Sequence, residues 1–371
     1  MALARVAAMG TRTDDADGLD GVDRPGEVDG TADVGRAVDV SSVPGDGNSE
    51  FARQADPFRR ELLAYCYRML GCVHDAEDLL QETLLRAWRA YDRYDPARAS
   101  FRTWLYRIAT NACLTALEQR SRRPLPAGIG GPPGTDPNEP LVRGEEVPWL
   151  EPAPDARFAG PGGLDGEGDP GARDGLRLAF VAAMQLLPAR QRAVLILREV
   201  LDWPAAEVAA ALDMTPAAVN SLLQRAHARL GKDRPREEEI REPDRRRDRE
   251  LIDRYVSAFE RADLAGLAKL LADAAVLEMP PFVNWYVGRD DYIGFIRRVF
   301  TLRGTAWRML PVGANGQPAV AAYVRAEDGS YQLHTLQVFT VTNGAVSRNT
   351  VYQDEDIFAL FELPEVISPE D

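Results

Sequence analysis

Within the run FRTWLYRIATN, residues 101–111, Trp104, Arg107 and Asn111 recur at i, i+3 and i+7 and so share one helical face. A ring, a cation and an amide on one face suit a single-stranded nucleic acid. The ring stacks on a base, the guanidinium meets phosphate and the amide reads a base edge. The same three residues also fit a core tryptophan with two incidental polar neighbours, and composition alone favours that reading. Phe101, Leu105, Ile108 and Ala112 form the stripe that buries. Arg120, Arg122 and Arg123 follow as a basic cluster suited to a phosphate backbone.

Two further helices carry candidate chemistry. In HDAEDLLQETLLRAWRAY, residues 74–91, Leu80, Leu84, Ala87 and Tyr91 gather on one face. Asp75, Asp78 and Glu82 gather on the opposite face, with Leu79 beside them. Such a stripe is either a solvated acidic side or a seat for a partner with a basic surface. In Pro216–Leu230, Val219, Leu222, Leu223, Ala226 and Leu230 share the side that buries. Ala217, Asn220, Ser221, Gln224 and Ala228 lie opposite, flanked by Arg225. Thr215 is a good N-cap and Pro216 suits the first helical position. With the short helix Pro204–Leu212 and the turn DMTP before it, this reads as a helix-turn-helix whose second helix offers small polar side chains to a major groove. Plain helical hairpins share that pattern.

The elements that must position these faces fall into blocks. Residues 1–50 hold 4 basic and 11 acidic side chains, show no sustained period, and read as a disordered acidic tail. Residues 51–123 form a helical block with 13 basic and 9 acidic side chains. Residues 124–175 are dense in Gly, Pro and acid and read as a linker. The island VPWLEPAPD, residues 147–155, places Trp149 and Leu150 there, a pair that either docks somewhere or is stray. Residues 176–232 form a second helical block, 233–248 a charged linker, and 249–371 a region that starts helical and turns strand-rich. Val320–Val324 and Tyr331–Val341 are β-rich, and Asn343-Gly344 offers a type I′ turn into Ala345–Tyr352. The net charge of −14 argues against nucleic acid until its distribution is read. The acid lies in tail, linker and last region, whereas both helical blocks are mildly basic. No apolar run reaches the length of a membrane span, and no membrane partner is expected. Cys66, Cys72 and Cys113 show neither metal-ligand spacing nor an even disulfide set, which fits buried thiols in a reducing cytoplasm.

DAEDLLQE followed by WRAYDRYDPARASFRTWLYRIATN resembles conserved region two of extracytoplasmic-function sigma factors. The resemblance implies that Asp75, Asp78, Leu79, Gln81 and Glu82 meet the clamp helices of the polymerase β′ subunit. It also implies that Asn111 lines a pocket for a flipped base of the minus-ten element, with Trp104 and Arg107 in support and the loop Tyr94–Ser100 helping to enclose the base. AMQLLPARQRAVLILREV resembles the lead-in to region four, which reads the minus-thirty-five element. By position Thr215, Ala217, Asn220, Ser221, Gln224 and Arg225 make those contacts. Many members place two or more arginines on this helix; VNSLLQRAH has one, which implies fewer phosphate contacts and weaker salt dependence. Promoter DNA and core RNA polymerase, through β′ and the β subunit, are the implied partners.

The last region resembles the SnoaL-like cone-shaped barrels, on the cues YVSAFERADLAGLAKLLADAAVLEMPP and NWYVGRDDYIGFI. The expected fold class is therefore multidomain: two all-α domains and a C-terminal α+β cone. Met279, Phe282, Trp285, Tyr286 and His334 either line a cavity for a small apolar ligand or simply pack the barrel. His334, Glu278, Asp290 and Asp291 make no nucleophile–base pair by sequence, so no catalytic residue, metal or cofactor is expected. The barrel is expected to regulate, docking on one or both DNA-binding blocks. An alternative is a SnoaL-like isomerase or hydrolase fused to a DNA-binding module. A plain repressor, the third reading, has no use for a clamp helix.

Overall fold

The computed structural model describes residues 46–118, 122–159, 176–231 and 245–369. Most of the acidic tail, the last third of the linker and most of the charged run before residue 248 lie outside the described residues. The first block comprises α1 (Asp46–Ala55), α2 (Arg59–Leu70), α3 (Val73–Arg89) and α4 (Phe101–Glu118). Residues 46–50, expected in the tail, belong to α1. The reason is Phe51, 6% exposed, whose ring sits 5.4 Å from Tyr91 and 6.2 Å from Phe101 and ties the helix to the core. α2 is central and buries every residue from Glu61 to Leu70. Gly71 ends it at φ 73°, and a Cβ there would meet Leu150 at 2.7 Å.

The second block comprises α5 (Leu178–Gln185), α6 (Ala189–Leu195), a π-helical turn (Ile196–Val200), α7 (Ala205–Leu212) and α8 (Pro216–Leu230). It packs directly on the first. Trp203, 1% exposed, meets Tyr106 edge-on at 4.9 Å. Arg102 lies over both rings, 5.1 Å from Trp203 and 5.5 Å from Tyr106, while its guanidinium holds Glu61 at 2.9 Å. Thr103 donates to Glu207 at 2.8 Å. Arg192 is buried between the blocks and donates to the carbonyls of Met69 and Leu187 and to Gln185 Oε1. Burial draws its pKa down to about 10 despite these acceptors.

The third region comprises α9 (Arg245–Glu260), α10 (Leu264–Leu270), β1 (Leu271–Glu278), β2 (Trp285–Val287), α11 (Arg289–Arg303), β3 (Trp307–Ala314), β4 (Gln317–Arg325), β5 (Tyr331–Thr342), β6 (Ala345–Tyr352), α12 (Glu355–Leu360) and β7 (Val366–Ile367). The strand order is β2-β1-β6-β5-β4-β3, with β7 on β5; β1 and β6 run parallel and the other pairs antiparallel. One sheet face packs Tyr255, Phe259, Tyr292, Trp307 and Phe339 into the barrel's own core. Leu336, Val338, Ala319 and Tyr352 belong instead to the core shared with the two helical blocks. Strand alternation explains the division, because Val338 and Phe339 point to opposite faces.

Residues 122–159 do not behave as a loose linker. The segment is extended and its backbone is bonded into other elements. Gly134 donates to Trp285 O at 2.8 Å, Gly144 to Pro281 O at 2.9 Å, and Val283 to Val142 O at 2.8 Å. Further on, Glu151 donates to Gly71 O at 3.1 Å, and Leu150 is fully buried on that turn. The linker therefore straps the barrel first and the first helical block second.

Candidate polymerase and promoter interfaces

Ser100 opens α4 by accepting the Thr103 amide on its hydroxyl at 3.1 Å. The helix then buries Leu105, Tyr106 and Ala109 on one side and turns Arg107 and Asn111 to solvent. Trp104 is half-buried, its ring 5.0 Å from Tyr94 and 5.6 Å from Phe101. Trp104, Arg107, Ile108 and Asn111 line one open cavity of about 330 Å³, together with Arg86 from α3 and Ala90, which caps that helix. The structure thus brings the three sequence-selected residues together and backs the ring with an aromatic wall. Tyr94 stands in that wall, and the 94–100 loop is held by its own hydrogen bonds from Ala97 to Asp95 and from Tyr94 to Ala99 O. A face drawn on α4 alone omits Arg86 and Ala90, which come from the end of the neighbouring helix and its cap. Their spacing of four residues was the available signal.

On α3, Cys72 caps the helix by accepting the Asp75 amide on Sγ at 3.4 Å. Asp75 is engaged by Arg123 at 3.0 Å, and the same guanidinium reaches Glu151 at 3.2 Å and Trp149 O at 3.3 Å. Asp78 and Gln81 are exposed, Glu82 pairs with Arg86 at 2.6 Å, and Leu79 is half-buried against the core. The exposed apolar side chains of this helix are Leu85 and Trp88, 39% and 43% exposed. With Asp78 and Gln81 they form one stripe at spacings of three, four and three, acidic at its start and apolar at its end.

The turn before α8 is set by Asp213, left-handed at φ 53°, and by Thr215, whose hydroxyl accepts the Ala218 amide at 3.2 Å. Thr215, Ala217, Asn220, Ser221, Gln224 and Arg225 are all exposed on one side. Val219, Ala226 and Leu230 are buried on the other, with Leu222 and Leu223 half-buried.

In the barrel the five selected residues do not share one cavity. Tyr286 packs on Phe295 at 5.5 Å and against linker Gly134; Phe282 lies under the Arg143 guanidinium at 5.6 Å; Met279 joins the barrel core. Trp285 is half-buried on the β1–β2 ladder. His334 stands at a bulge of β5, its ring 5.2 Å from Trp307 and its Nε2 3.5 Å from Gln353. The reason for the separation is that the linker covers the β1–β2 end, whereas His334 lies toward β3. Glu278 is fully buried and held by Arg348 at 2.7 Å, Thr350 at 3.2 Å and the linker amide of Ala127 at 3.3 Å. A cavity of about 500 Å³ opens elsewhere, between α9 and β3–β4, lined by Ile252, Val256, Met309 and Val320 and edged by Asp155.

Burial, with Arg303 adding to it, lowers the His334 pKa to about 4. The imidazole is then neutral in the fold, and protons favour the unfolded chain. This contribution to stability is whole above about pH 6.5 and is lost as pH falls toward 4. Thermal melts at pH 6.5 and 4.5 are expected to show a loss on the order of 2 kcal/mol that His334→Gln abolishes. An unchanged pH slope in that variant would refute the assignment.

The blocks meet at Asn315, in the β3–β4 turn at φ 57° and 1% exposed. Its Nδ2 donates to the Tyr67 hydroxyl at 2.8 Å and to Leu176 O at 2.7 Å, and its Oδ1 accepts the Ala153 amide at 2.8 Å. Next to it Gly316 donates to Asp155 at 2.7 Å, and Gln317 accepts the Leu178 amide at 2.8 Å. One barrel turn thereby touches the first block, the linker and the second block. Among the described residues, Cys72, His74 and Glu151 form the one group of three potential metal ligands.

Comparison with known proteins finds a family match in each of the three blocks. Residues 55–123 match the model of sigma-70 region 2, residues 177–230 that of sigma-70 region 4, and residues 252–349 that of a SnoaL-like domain. The chain is 45% identical over 346 residues to the ECF RNA polymerase sigma factor SigG of Mycobacterium tuberculosis, covering 89% of this chain and 90% of the relative. It is 41% identical over 98 residues to the ECF RNA polymerase sigma factor SigW of Bacillus subtilis, covering 26% and 51%. The crystal structure of the M. tuberculosis extracytoplasmic function sigma factor SigJ superposes with a TM-score of 0.57 at 23% identity, covering 85% of this chain and all of that one, a likeness of fold.

Proposed function

The chain belongs to the extracytoplasmic-function RNA polymerase sigma factors, and on that premise we propose that its surfaces divide the work of initiation among α3, α4, α8 and the barrel. The protein binds core RNA polymerase, recognises promoter DNA and directs transcription initiation. In our reading the α3 stripe from Asp78 to Trp88 seats on the β′ clamp helices, with Leu79 and Glu82 at its flank and Asp75 joining once Arg123 lets go. The α4 cavity holds a flipped minus-ten base against Trp104 and Asn111. The outer face of α8 reads the minus-thirty-five element. The observation that carries this reading is the convergence of Trp104, Arg107 and Asn111 on one open cavity beside the α3 stripe.

The barrel and its linker strap act as a brake. The two helical blocks are packed together through Arg102, Trp203 and Arg192, and the barrel holds both through Asn315. Reaching two promoter elements on one duplex requires the blocks to part, so each of these contacts opposes engagement. We read the barrel as regulatory and not catalytic, a reading supported by the sigma-factor relative that matches along most of the chain. No helix among the described residues is long and apolar enough to cross a membrane. We place the protein in the cytoplasm, where core polymerase and promoter DNA are.

Run-off transcription with purified core polymerase tests the division of roles. Asp78→Ala/Glu82→Ala is expected to weaken core binding by roughly tenfold or more, since both carboxylates face a basic surface in the complex. Transcript yield at limiting protein falls in step and recovers at excess. If the full chain neither binds core nor starts transcripts, even with residues 249–371 removed, the proposal fails.

A further inference from the structure

We propose that Cys72, His74 and Glu151 form a zinc site that ties the linker to the turn between α2 and α3. Their ligand atoms, a thiol sulfur, an imidazole nitrogen and a carboxylate oxygen, all lie within 4.8 Å of one another. A tetrahedral zinc centre needs ligand atoms about 3.3 to 3.6 Å apart. His74 is exposed and free of backbone constraint at its ring, so it can supply that closing movement. The set of one sulfur, one nitrogen and one oxygen is borderline in softness, which selects zinc over magnesium or calcium.

A second observation points to a ligand independently of the clustering. Glu151 Oε2 is buried and has no hydrogen-bond partner among the described residues. Its companion oxygen is held by Arg123 at 3.2 Å, its amide donates to Gly71 O at 3.1 Å, and its carbonyl accepts the Tyr67 hydroxyl at 2.8 Å. The carboxylate is therefore fixed on every side but one, as an outer shell fixes a metal ligand. Burial and the neighbouring Glu151 carboxylate push the Cys72 thiol well above its usual pKa, so a bound dication, and not the fold alone, would draw off its proton. The local charge suits a dication. Once a metal has displaced the thiol proton, the thiolate, Glu151 and Asp75 carry three negative charges and Arg123 returns one. When zinc binds, the S–H bond breaks, a Zn–S bond forms and the proton leaves to solvent. Solvent on the His74 side supplies the fourth position.

A site so placed makes the seating of Trp149 and Leu150 depend on metal, because Glu151 is the next residue of the linker. The test uses the full chain, stripped with chelator and titrated with zinc alone in competition with a chromophoric indicator. Cobalt replaces zinc as a spectral probe. One equivalent of zinc is expected to bind, with a sulfur-to-cobalt charge-transfer band in the cobalt form. Cys72→Ser keeps a good N-cap and should fold, yet it loses the band. Glu151→Gln and His74→Gln each weaken zinc binding at least tenfold. His74 is exposed, so its variant carries the test should the others disturb the fold. Absence of stoichiometric binding by the wild type, or wild-type affinity in both Cys72→Ser and His74→Gln, overturns the site.

Discussion

Asn111→Ala is expected to lower the rate of promoter opening by about 5- to 50-fold while leaving core binding within twofold. Asn111 is exposed and lines the α4 cavity, so its amide is available to a base edge and its loss disturbs no packing. A specific base contact is worth about 1–3 kcal/mol, and a stacked base about the same. Trp104→Ala should therefore be at least as severe, but its ring also packs on Tyr94 and Phe101, so part of its effect belongs to the fold. Arg107→Ala removes a cation from the same rim and should flatten the salt dependence of opening by about one unit of slope. Opening is followed with a fluorescent base in the minus-ten element, and core binding by fluorescence anisotropy. An Asn111→Ala holoenzyme that opens at the wild-type rate would end the base-capture reading.

The second large effect is expected at Asn315. Asn315→Gly keeps the left-handed turn, which glycine adopts without strain, and removes the amide alone. Leu176 O and the Ala153 amide then lose this partner at a buried junction, while Tyr67 OH keeps its bond to Glu151 O. Leaving buried polar groups unpaired costs roughly 1–3 kcal/mol each, less what local relaxation recovers, so a loss of about 2–4 kcal/mol in the closed arrangement is reasonable. If that arrangement is a brake, transcript yield at limiting concentration rises several-fold and the particle expands in solution scattering. A variant that expands without a gain in transcripts would show that opening does not limit initiation. One that neither expands nor gains would remove Asn315 from the mechanism.

Much of this was legible in the chain. The faces of α3, α4 and α8 could be drawn from periodicity, since each buries one stripe and the residues of each candidate face share a single helix. Asn343 and Gly344 announced a type I′ hairpin and adopt φ 53° and 75°. The linker was not legible. Its order comes from backbone hydrogen bonds made by Gly134, Val142 and Gly144 to residues more than a hundred positions away, and such bonds leave no pattern in side-chain type. Proline and glycine there read as freedom, whereas in the fold they let an extended chain lie close against β2 and α11. Distance along the chain also hid the meeting of Cys72 and His74 with Glu151, and the role of Asn315, whose Asn-Gly pair reads as a turn and nothing more. Leu85 and Trp88 were hidden differently. Apolar type suggests burial, and only the neighbouring packing shows that they are left outside.

The fork made by Arg123 couples two events that the sequence keeps apart. One guanidinium holds Asp75, on the surface assigned to polymerase, and Glu151, in the linker. If core polymerase draws Asp75 away, the guanidinium is left with one of its two carboxylates, the linker's Glu151. By thermodynamic reciprocity, whatever changes how Arg123 holds the linker must change the grip on core by the same factor. The strength of a promoter-independent interaction could thus be set from inside the molecule, without any change to the surface that polymerase touches.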